Sequence, residues 1–242
     1  MHNRPNSELV PKVIVSWWLA ALQSVLVRYV KISDDWVERV RAAATRGPVV
    51  FILRNRSLID FLCLRGLCRR HGLPEVGFVS GLAPFVFLPW WRWLIALFRH
   101  RLPDRQKRRL VDTFRAGGSA VVFLRRPAPS NALGSLPVKI DGVRLAVEAQ
   151  AELGSPVLAM PTVFLWGEGA MNRLPKSLDF MFGSNEYPRL LRSLSLLVRR
   201  RAVHGAWFGE PLDLASIRAE RGTDDRTLAG VVRAHVGRGI EL

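Results

Sequence analysis

The sequence predicts an α/β fold in which a mostly parallel sheet is flanked by helices, with an apolar, amphipathic helix near the N-terminus. Short runs of apolar, β-branched residues stop at polar or glycine breaks, which is typical of buried strands. Helical patterns separate these runs at the spacing of β-α-β units. With 242 residues, of which 49% are hydrophobic, the chain is long enough to form one domain with a full core.

Two helices are predicted ahead of the first strand. The segment Val13–Val27 is apolar, contains a Trp pair and is followed by Arg28. It is shorter than the roughly 20 residues that cross a bilayer, so we expect a helix that lies at a membrane surface or docks on the protein. Ser33 is expected to cap the second helix, which has an apolar face beginning at Trp36 and ends at Gly47.

The next apolar run begins at Val49 and stops at the polar break Asn55-Arg-Ser57, after which a helical pattern continues to about residue 70. Ser57 with Asp60 three residues later forms a capping box, which predicts the start of a helix. The result is a strand-turn-helix corner. Open α/β sheets bind ligands at such corners, beside a helix N-terminus, so this corner is either a functional site or only a cap.

Strand and helix patterns alternate through the rest of the chain. The further strands are expected over residues 76–79, 120–124 and 156–165 and, with a turn, over 206–214. The further helices are expected over residues 105–114, 143–153 and 190–201 and around 228–235, with a loop over 125–138. Pro161 lies inside one strand and indicates an edge strand or a bulge, because proline has no backbone N–H to donate.

Positive charge and hydrophobicity occur together in this chain. Lys and Arg number 36 against 20 Asp and Glu, a formal charge of +16, and eight residues are Trp. An anionic membrane surface suits this composition, because acidic lipids attract basic side chains and indole rings prefer the headgroup boundary. The window 85–98, with three Trp around Arg92, is either a core helix or a surface that dips into lipid. No nucleic-acid-binding signature is present, so nucleic acid is not expected as a partner.

The two cysteines, Cys63 and Cys68, follow the corner in the same predicted helix. They are too few for a disulfide scaffold and have no metal-ligand pattern nearby, so we expect buried thiols in a reducing compartment. The sequence contains no visible signal peptide, Gly-rich phosphate loop, zinc pattern or G-x-S-x-G motif. We therefore expect no cofactor and no metal, and a peripheral or monotopic location on the cytoplasmic face of a membrane.

The corner resembles the first sequence block of the glycerol-3-phosphate acyltransferases, of the membrane-bound bacterial and mitochondrial type. That block is H-x-x-x-x-D, and here Asn55 stands at the position of the histidine while Asp60 is kept. The resemblance covers roughly residues 30–215 and implies a glycerophosphate acyltransferase-like fold. It divides the chain into an N-terminal helical, membrane-associating segment (1–46), an acyltransferase-like α/β domain (47–215) and a C-terminal helical tail (216–242).

Three further blocks extend the resemblance, and each implies a role. The second block supplies basic side chains to the substrate phosphate, and arginine forks suit phosphate oxygens well. In this chain its basic residues are Arg99, His100 and Arg101, which are either phosphate ligands or a solvated patch. The fourth block lines the acyl site, here with Met160 and Pro161.

The third block departs from the family pattern by a reversal of charge. The family has E-G-x-R-S after a strand, where the glutamate and the arginine complete the phosphate pocket. In this chain Arg125 stands at the glutamate position and Arg126 at the glycine, and the block runs on to Ser130.

The resemblance implies a reaction and shows what is missing for it. In the family the histidine takes a proton from the glycerol-3-phosphate hydroxyl, which attacks the thioester of acyl-CoA or acyl-carrier protein, while the aspartate orients the imidazole. Asn55 cannot accept that proton, because a carboxamide does not titrate near neutrality. We expect a membrane-associated protein of phospholipid biosynthesis whose acyl transfer is absent or weak. The alternative is a catalytically inactive pseudoenzyme that binds lipid or a partner.

Overall fold

The computed structural model describes residues 17–30, 32–54, 57–80, 103–124, 141–166, 203–222 and 224–240. The helices in these ranges are α1 (Trp17–Tyr29), α2 (Asp34–Arg46), α3 (Leu58–Arg70), α4 (Pro103–Arg115), α5 (Gly142–Leu153), α6 (Leu214–Arg221) and α7 (Asp225–Ile240). The strands are β1 (Val49–Leu53), β2 (Val76–Val79), β3 (Ser119–Phe123), β4 (Leu158–Trp166), β5 (Val203–Phe208) and β6 (Leu212–Asp213). The predictions for the window 85–98, the loop 125–138 and the helix 190–201 lie outside the described residues.

The strands form a single mixed sheet that is mostly parallel. Their order is β2-β3-β1-β4-β5, and β6 pairs with the beginning of β4 on the same side as β5. The strands β2, β3, β1 and β4 are parallel, whereas β5 and β6 run antiparallel to β4. The α/β architecture expected from the alternating patterns is therefore confirmed.

Strand β1 lies in the middle of the sheet and separates two hydrophobic clusters. Its odd-numbered residues Val49, Phe51 and Leu53 belong to a first cluster with side chains of α1, α2 and α3. Its even-numbered residues Val50 and Ile52 belong to a second cluster with α4, α5, α6 and α7. Because successive side chains of a strand alternate between faces, a strand that is covered on both faces must be apolar throughout. All five residues of β1 are at most 1% exposed.

Pro161 does not mark an edge strand. Strand β4 lies between β1 and the β5–β6 pair, and Pro161 is in register with Ile52 of β1. Its carbonyl accepts a hydrogen bond from the backbone N–H of Gly209 (2.9 Å), in the segment that joins β5 to β6. The ring nitrogen faces the same side, where the neighbouring pairing is interrupted. The prediction of an edge position is wrong. Proline is tolerated inside the sheet because its missing N–H falls at this interruption and removes no bond to β1.

The helices of the second face are more buried than their sequences indicate. Helix α4 is rich in basic residues, yet its residues Leu110, Val111 and Phe114 are buried, and its exposed arginines lie on the other side. Helix α7 likewise buries Leu228 and Val232 in the second cluster. The segment boundaries at residues 46 and 215 stay predictions.

Helix α1 is docked on α3 through a close contact and a buried polar pair. A Cβ atom built at Gly66 would lie 2.2 Å from Cγ2 of Val27, so only glycine allows the two helices to approach this closely. Beside this contact, Nη1 of Arg65 donates a hydrogen bond to Oε1 of Gln23 (2.8 Å), and both side chains are buried. Within the described residues, no helix has both the length and the apolar character that crossing a membrane requires.

We expect Gly66→Ala to lower the free energy of unfolding by about 1–3 kcal/mol, because the new methyl group overlaps Val27 and forces the helices apart. This loss opposes the higher helix propensity of alanine, which favours the substitution by about 1 kcal/mol elsewhere. Urea unfolding followed by circular dichroism measures the change.

Gly230→Ala is the matched control, because Gly230 lies in α7 and no atom falls within 4 Å of a Cβ built there. It should stabilise the protein or leave it unchanged. The Val27→Ala, Gly66→Ala double variant should lose less than the sum of the single losses, since Val27→Ala removes the overlapping methyl group. Equal effects of Gly66→Ala and Gly230→Ala would contradict the packing role.

Candidate functional site

The corner between β1 and α3 has the local geometry that the sequence predicts. Ser57 is the N-cap of α3, and its hydroxyl oxygen accepts a hydrogen bond from the backbone N–H of Asp60 (3.2 Å). Its carbonyl accepts from the backbone N–H of Phe61 (3.2 Å). Asp60 lies half-buried in the first turn of α3, where the helix dipole favours a negative charge. The cap is confirmed, and a catalytic role for Asp60 stays a prediction.

The N-termini of α2, α3 and α5 lie at the carboxyl end of the parallel strands. Helix α3 begins there because it follows β1 directly. Helix α2 ends at the amino end of β1, which it precedes, so its N-terminus lies at the carboxyl end. Helix α5 starts beside Ser80, which follows β2, since a Cβ atom built at Gly142 would lie 3.0 Å from the Ser80 Oγ atom. Free N–H groups at helix N-termini attract anions. This end of the sheet is therefore the natural place for an anionic ligand.

Acidic side chains offset part of this positive potential. Asp34 and Asp35 lie in the first turn of α2, and Asp60 lies in that of α3. Asp141 caps α5 by accepting from the backbone N–H groups of Val143 (3.2 Å) and Arg144 (3.3 Å). Because a carboxylate near a helix N-terminus cancels part of the dipole, a phosphate bound here needs basic side chains in addition.

An aromatic cluster borders this end of the sheet on the first face. The ring of Trp36, in the first turn of α2, stacks on Phe208 of β5 with 4.3 Å between centroids, and Phe208 meets Phe164 of β4 edge to face at 6.4 Å. Trp36 is 2% exposed, and its Nε1 has no hydrogen-bond partner among the described residues. Sequence reasoning placed Trp36 on a buried face but missed its partners, because they are distant in the chain and no local period links them.

The structure describes two of the residues predicted to line the acyl site, and both are buried. Met160 lies level with Phe51 in the middle of the sheet and is 0% exposed, as part of the first cluster. Pro161 lies one residue nearer the carboxyl end, beside Ile52. The acyl-site role of both residues stays a prediction.

The other predicted site residues lie outside the described residues. They are the position of the family histidine, the second block and the third block: Asn55, Arg99, His100, Arg101, Arg125, Arg126 and Ser130. The structure describes the strand residues that precede two of these blocks. Leu53 and Phe123 end β1 and β3 in register, and the backbone N–H of Leu124 donates to the Leu53 carbonyl (2.8 Å).

The two thiols of α3 are buried and stay protonated at neutral pH. Burial raises the pKa of Cys68 to about 12. Burial, and secondarily the negative charge of Asp60, raises the pKa of Cys63. A thiol in such an environment is a poor nucleophile, because the thiolate is the reactive form. The expectation of buried free thiols is confirmed.

The described residues form no metal site, and an open pocket among them lies away from this corner. Within the described residues, no group of three or more His, Cys, Asp or Glu side chains is arranged to hold a metal ion. An open pocket lined by residues 44–49, Pro74 and residues 114–118 lies at the amino end of the strands. The N-termini of α2, α3 and α5 lie at the other end of the strands, so the pocket takes no part in the candidate site.

Comparison with known proteins supports the resemblance in the first part of the chain. The family model described as the glycerol-3-phosphate acyltransferase PlsB N-terminal domain matches residues 15–89. This stretch holds α1, α2, β1, α3 and β2, and with them the positions of Asn55 and Asp60. It is less than a third of the chain. A comparison with curated proteins found no match.

We expect Ser57→Ala to cost about 1 kcal/mol of stability, because the N–H of Asp60 loses its hydrogen-bond acceptor. Ser57→Asp should retain most of it, since a carboxylate can accept the same bond. Ser24→Ala, in an exposed part of α1, should change stability by less than about 0.5 kcal/mol. Urea unfolding compares the three variants, and equal stability of Ser57→Ala and Ser24→Ala would refute the capping role.

The buried thiol of Cys68 should make stability fall at alkaline pH. Its pKa is raised in the folded protein from an ordinary 9.0 to about 12, so the unfolded chain loses this proton first. The free energy of unfolding should decline as pH rises from 9 towards 12, by up to about 1.4 kcal/mol per pH unit for this thiol. The slope should be smaller in Cys68→Ala, as measured by urea unfolding at several pH values. Parallel profiles for the two proteins would contradict the assignment.

Proposed function

We propose that this chain is a glycerol-3-phosphate acyltransferase-related protein of phospholipid biosynthesis that works at a membrane surface. The proposal rests on the corner between β1 and α3, which falls inside the stretch matched by the family model. There a buried central strand leads into a capped helix with Asp60 in its first turn. In the proposed reaction the hydroxyl oxygen of glycerol-3-phosphate attacks the thioester carbonyl of acyl-CoA or acyl-carrier protein. An ester forms and the thiol leaves.

The missing proton acceptor decides how much of this activity is expected. A carboxylate such as Asp60 can orient a histidine and stabilise the positive charge that it gains. Asn55 can donate an N–H to a carboxylate, but its amide cannot take a proton from a hydroxyl. General-base catalysis contributes about a hundred- to ten-thousand-fold in rate. We therefore expect the native chain to transfer acyl groups weakly or not at all.

The phosphate is assigned to the basic residues of the second block, Arg99, His100 and Arg101. Acidic groups at the carboxyl end of the sheet make such cations necessary, because they cancel part of the positive potential of the helix N-termini. The third block, with Arg125, Arg126 and Ser130, follows β3, whose last residue is in register with the last residue of β1. This pairing supports a third block that begins beside the first. With an arginine at the position of the family acid, the third block carries more positive charge than the family pattern.

A catalytically inactive module that binds lipid or a partner is the second candidate function. The sequence favours it in one respect, because the proton acceptor and the third-block acid are replaced together, by Asn55 and Arg125. A protein that had lost only one of them could retain part of the activity. In this alternative the basic residues hold an anionic headgroup that is not converted.

Membrane association is proposed to be peripheral or monotopic, on the cytoplasmic face, and to involve α1 as an amphipathic helix. The net charge of +16 supports attraction to anionic lipid. Trp17 at the start of α1 is 84% exposed, and exposed indole rings favour the headgroup boundary.

The decisive experiment restores the two replaced groups. Purified native protein, Asp60→Ala and the Asn55→His, Arg125→Glu double variant are given acyl-CoA with and without glycerol-3-phosphate, and thiol release is measured. We expect the native rate to equal that of Asp60→Ala. The double variant should be faster by about a hundred-fold or more, because it regains a general base and removes the opposing charge.

Controls separate catalysis from folding. Adding Asp60→Ala to the double variant should abolish the gain, and urea midpoints of all variants should stay close to the native value. Native turnover well above Asp60→Ala would refute the inactive state. No gain in a folded double variant, together with no calorimetric binding of glycerol-3-phosphate to any variant, would refute the acyltransferase relation of the site.

A further inference from the structure

We propose that one surface, formed by the outer side of α1 and the arginines beside its C-terminal end, docks the protein on an anionic phospholipid bilayer. This surface, the α1 face, consists of Trp17, Ala21, Ser24, Val25, Arg28 and Arg69. The inference rests on the membrane association proposed above and adds the individual residues of α1 and α3 that make the contact.

The exposed residues of α1 form a continuous stripe along the helix. From Trp17 to Ala21, from Ala21 to Ser24 or Val25, and from either of these to Arg28 the spacing is three or four residues, so these residues lie on one side. Trp17 is 84% and Val25 39% exposed, and these are the large hydrophobic side chains that the described residues leave exposed. An apolar stripe of this kind on a basic protein marks a contact surface.

The opposite side of α1 holds the helix against the protein, so that the stripe faces outward. Leu19, Gln23, Leu26 and Val27 are buried there, and Gln23 accepts the hydrogen bond from Arg65. This anchoring means that the α1 face is presented by a packed helix and requires no unfolding to reach a bilayer.

The C-terminal end of the stripe is cationic. Arg28 lies in the last turn of α1, and Arg69 and Arg70 lie in the last turn of α3. The two helix ends are in contact there, because Nη1 of Arg70 donates to the carbonyl of Val27 (3.3 Å). Arg41 of α2 reaches the same region by donating from Nη2 to the carbonyl of His71 (3.0 Å). All four arginines are exposed, and α1 contains no acidic residue. Acidic lipid headgroups are complementary to this charge.

The charge also argues against a second copy of the chain as the occupant. A two-fold symmetric contact through the α1 face would bring the same patch of each copy together. The two copies would each carry a net charge of +16, and like charges that approach one another at an interface cost affinity.

The direction of α1 links this surface to the candidate site. The numbers of the contacting residues increase along both helices: Gln23 lies beside Arg65, and Val27 lies beside Gly66 and Arg70. Helices α1 and α3 therefore run in the same general direction. The Trp17 end of α1 therefore lies towards the N-terminus of α3, which is at the carboxyl end of the sheet. Docking through Trp17 would bring the candidate site close to the bilayer.

The test compares two pairs of arginines that carry equal charge on different faces. Arg28→Gln, Arg69→Gln removes two charges from the α1 face, and Arg108→Gln, Arg115→Gln removes two exposed charges from α4, which covers the second face of the sheet. Flotation with vesicles of phosphatidylcholine, with and without phosphatidylglycerol, measures binding of each full-length protein at low salt.

We expect the α1-face pair to weaken binding to anionic vesicles on the order of 25-fold relative to the α4 pair. Trp17→Ser should also weaken binding, at both low and high salt, because its contribution is apolar. These side chains are exposed, so urea midpoints should stay close to the native value.

A label reports the contact directly. An environment-sensitive fluorophore on Ala21→Cys should shift to the blue with anionic vesicles, whereas the same label on Ala234→Cys, an exposed position in α7, should not. The buried thiols of Cys63 and Cys68 leave labelling of the native fold low.

The outcomes distinguish this inference from the proposed function. Native binding with equal losses for both arginine pairs, or with an unchanged Trp17→Ser, would overturn the α1 face and leave membrane association intact. No native binding to either vesicle would overturn both. Self-association in sedimentation experiments that Trp17→Ser abolishes would assign the surface to a second copy instead. None of these results depends on acyl transfer.

Discussion

The burial of β1 on both faces is the constraint on which the rest of the structure depends. Its five residues contact helices on each side, and it pairs in parallel with β3 and β4. A parallel strand in this position needs crossover connections that return the chain to the same end of the sheet. The helices therefore cover both faces, and their N-termini come together at the carboxyl end of the strands. The candidate site is a consequence of this arrangement.

Helix α1 belongs to the first hydrophobic cluster and is held mainly by its contact with α3. It packs on α3, and its position relies on Gly66 and on the pair of Arg65 and Gln23. Burial lowers the pKa of Arg65, which reflects the cost of removing a guanidinium from water. The hydrogen bond from Arg65 to Gln23 offsets part of this cost, and it requires one particular alignment of α1 along α3. The close approach of the two helices at Gly66 permits that same alignment. The two features together orient the exposed stripe of α1.

The carboxyl end of the sheet combines opposing electrostatic contributions. The N-termini of α2, α3 and α5 attract anions, while Asp34, Asp60 and Asp141 offset them. A phosphate would be held there by arginines from outside the capped helices. In the proposed function this anion is the phosphate of glycerol-3-phosphate.

The amino-acid sequence by itself determined the local elements. The apolar run of β1, the Ser57 cap and the helix expected over residues 143–153 depend on neighbouring residues only, which is why their positions were predicted within a few residues. Contacts between distant segments were decided by the tertiary structure. The stacking of Trp36 on Phe208, the central position of β4 and the docking of α1 arise from packing, because no local pattern records which element will cover another.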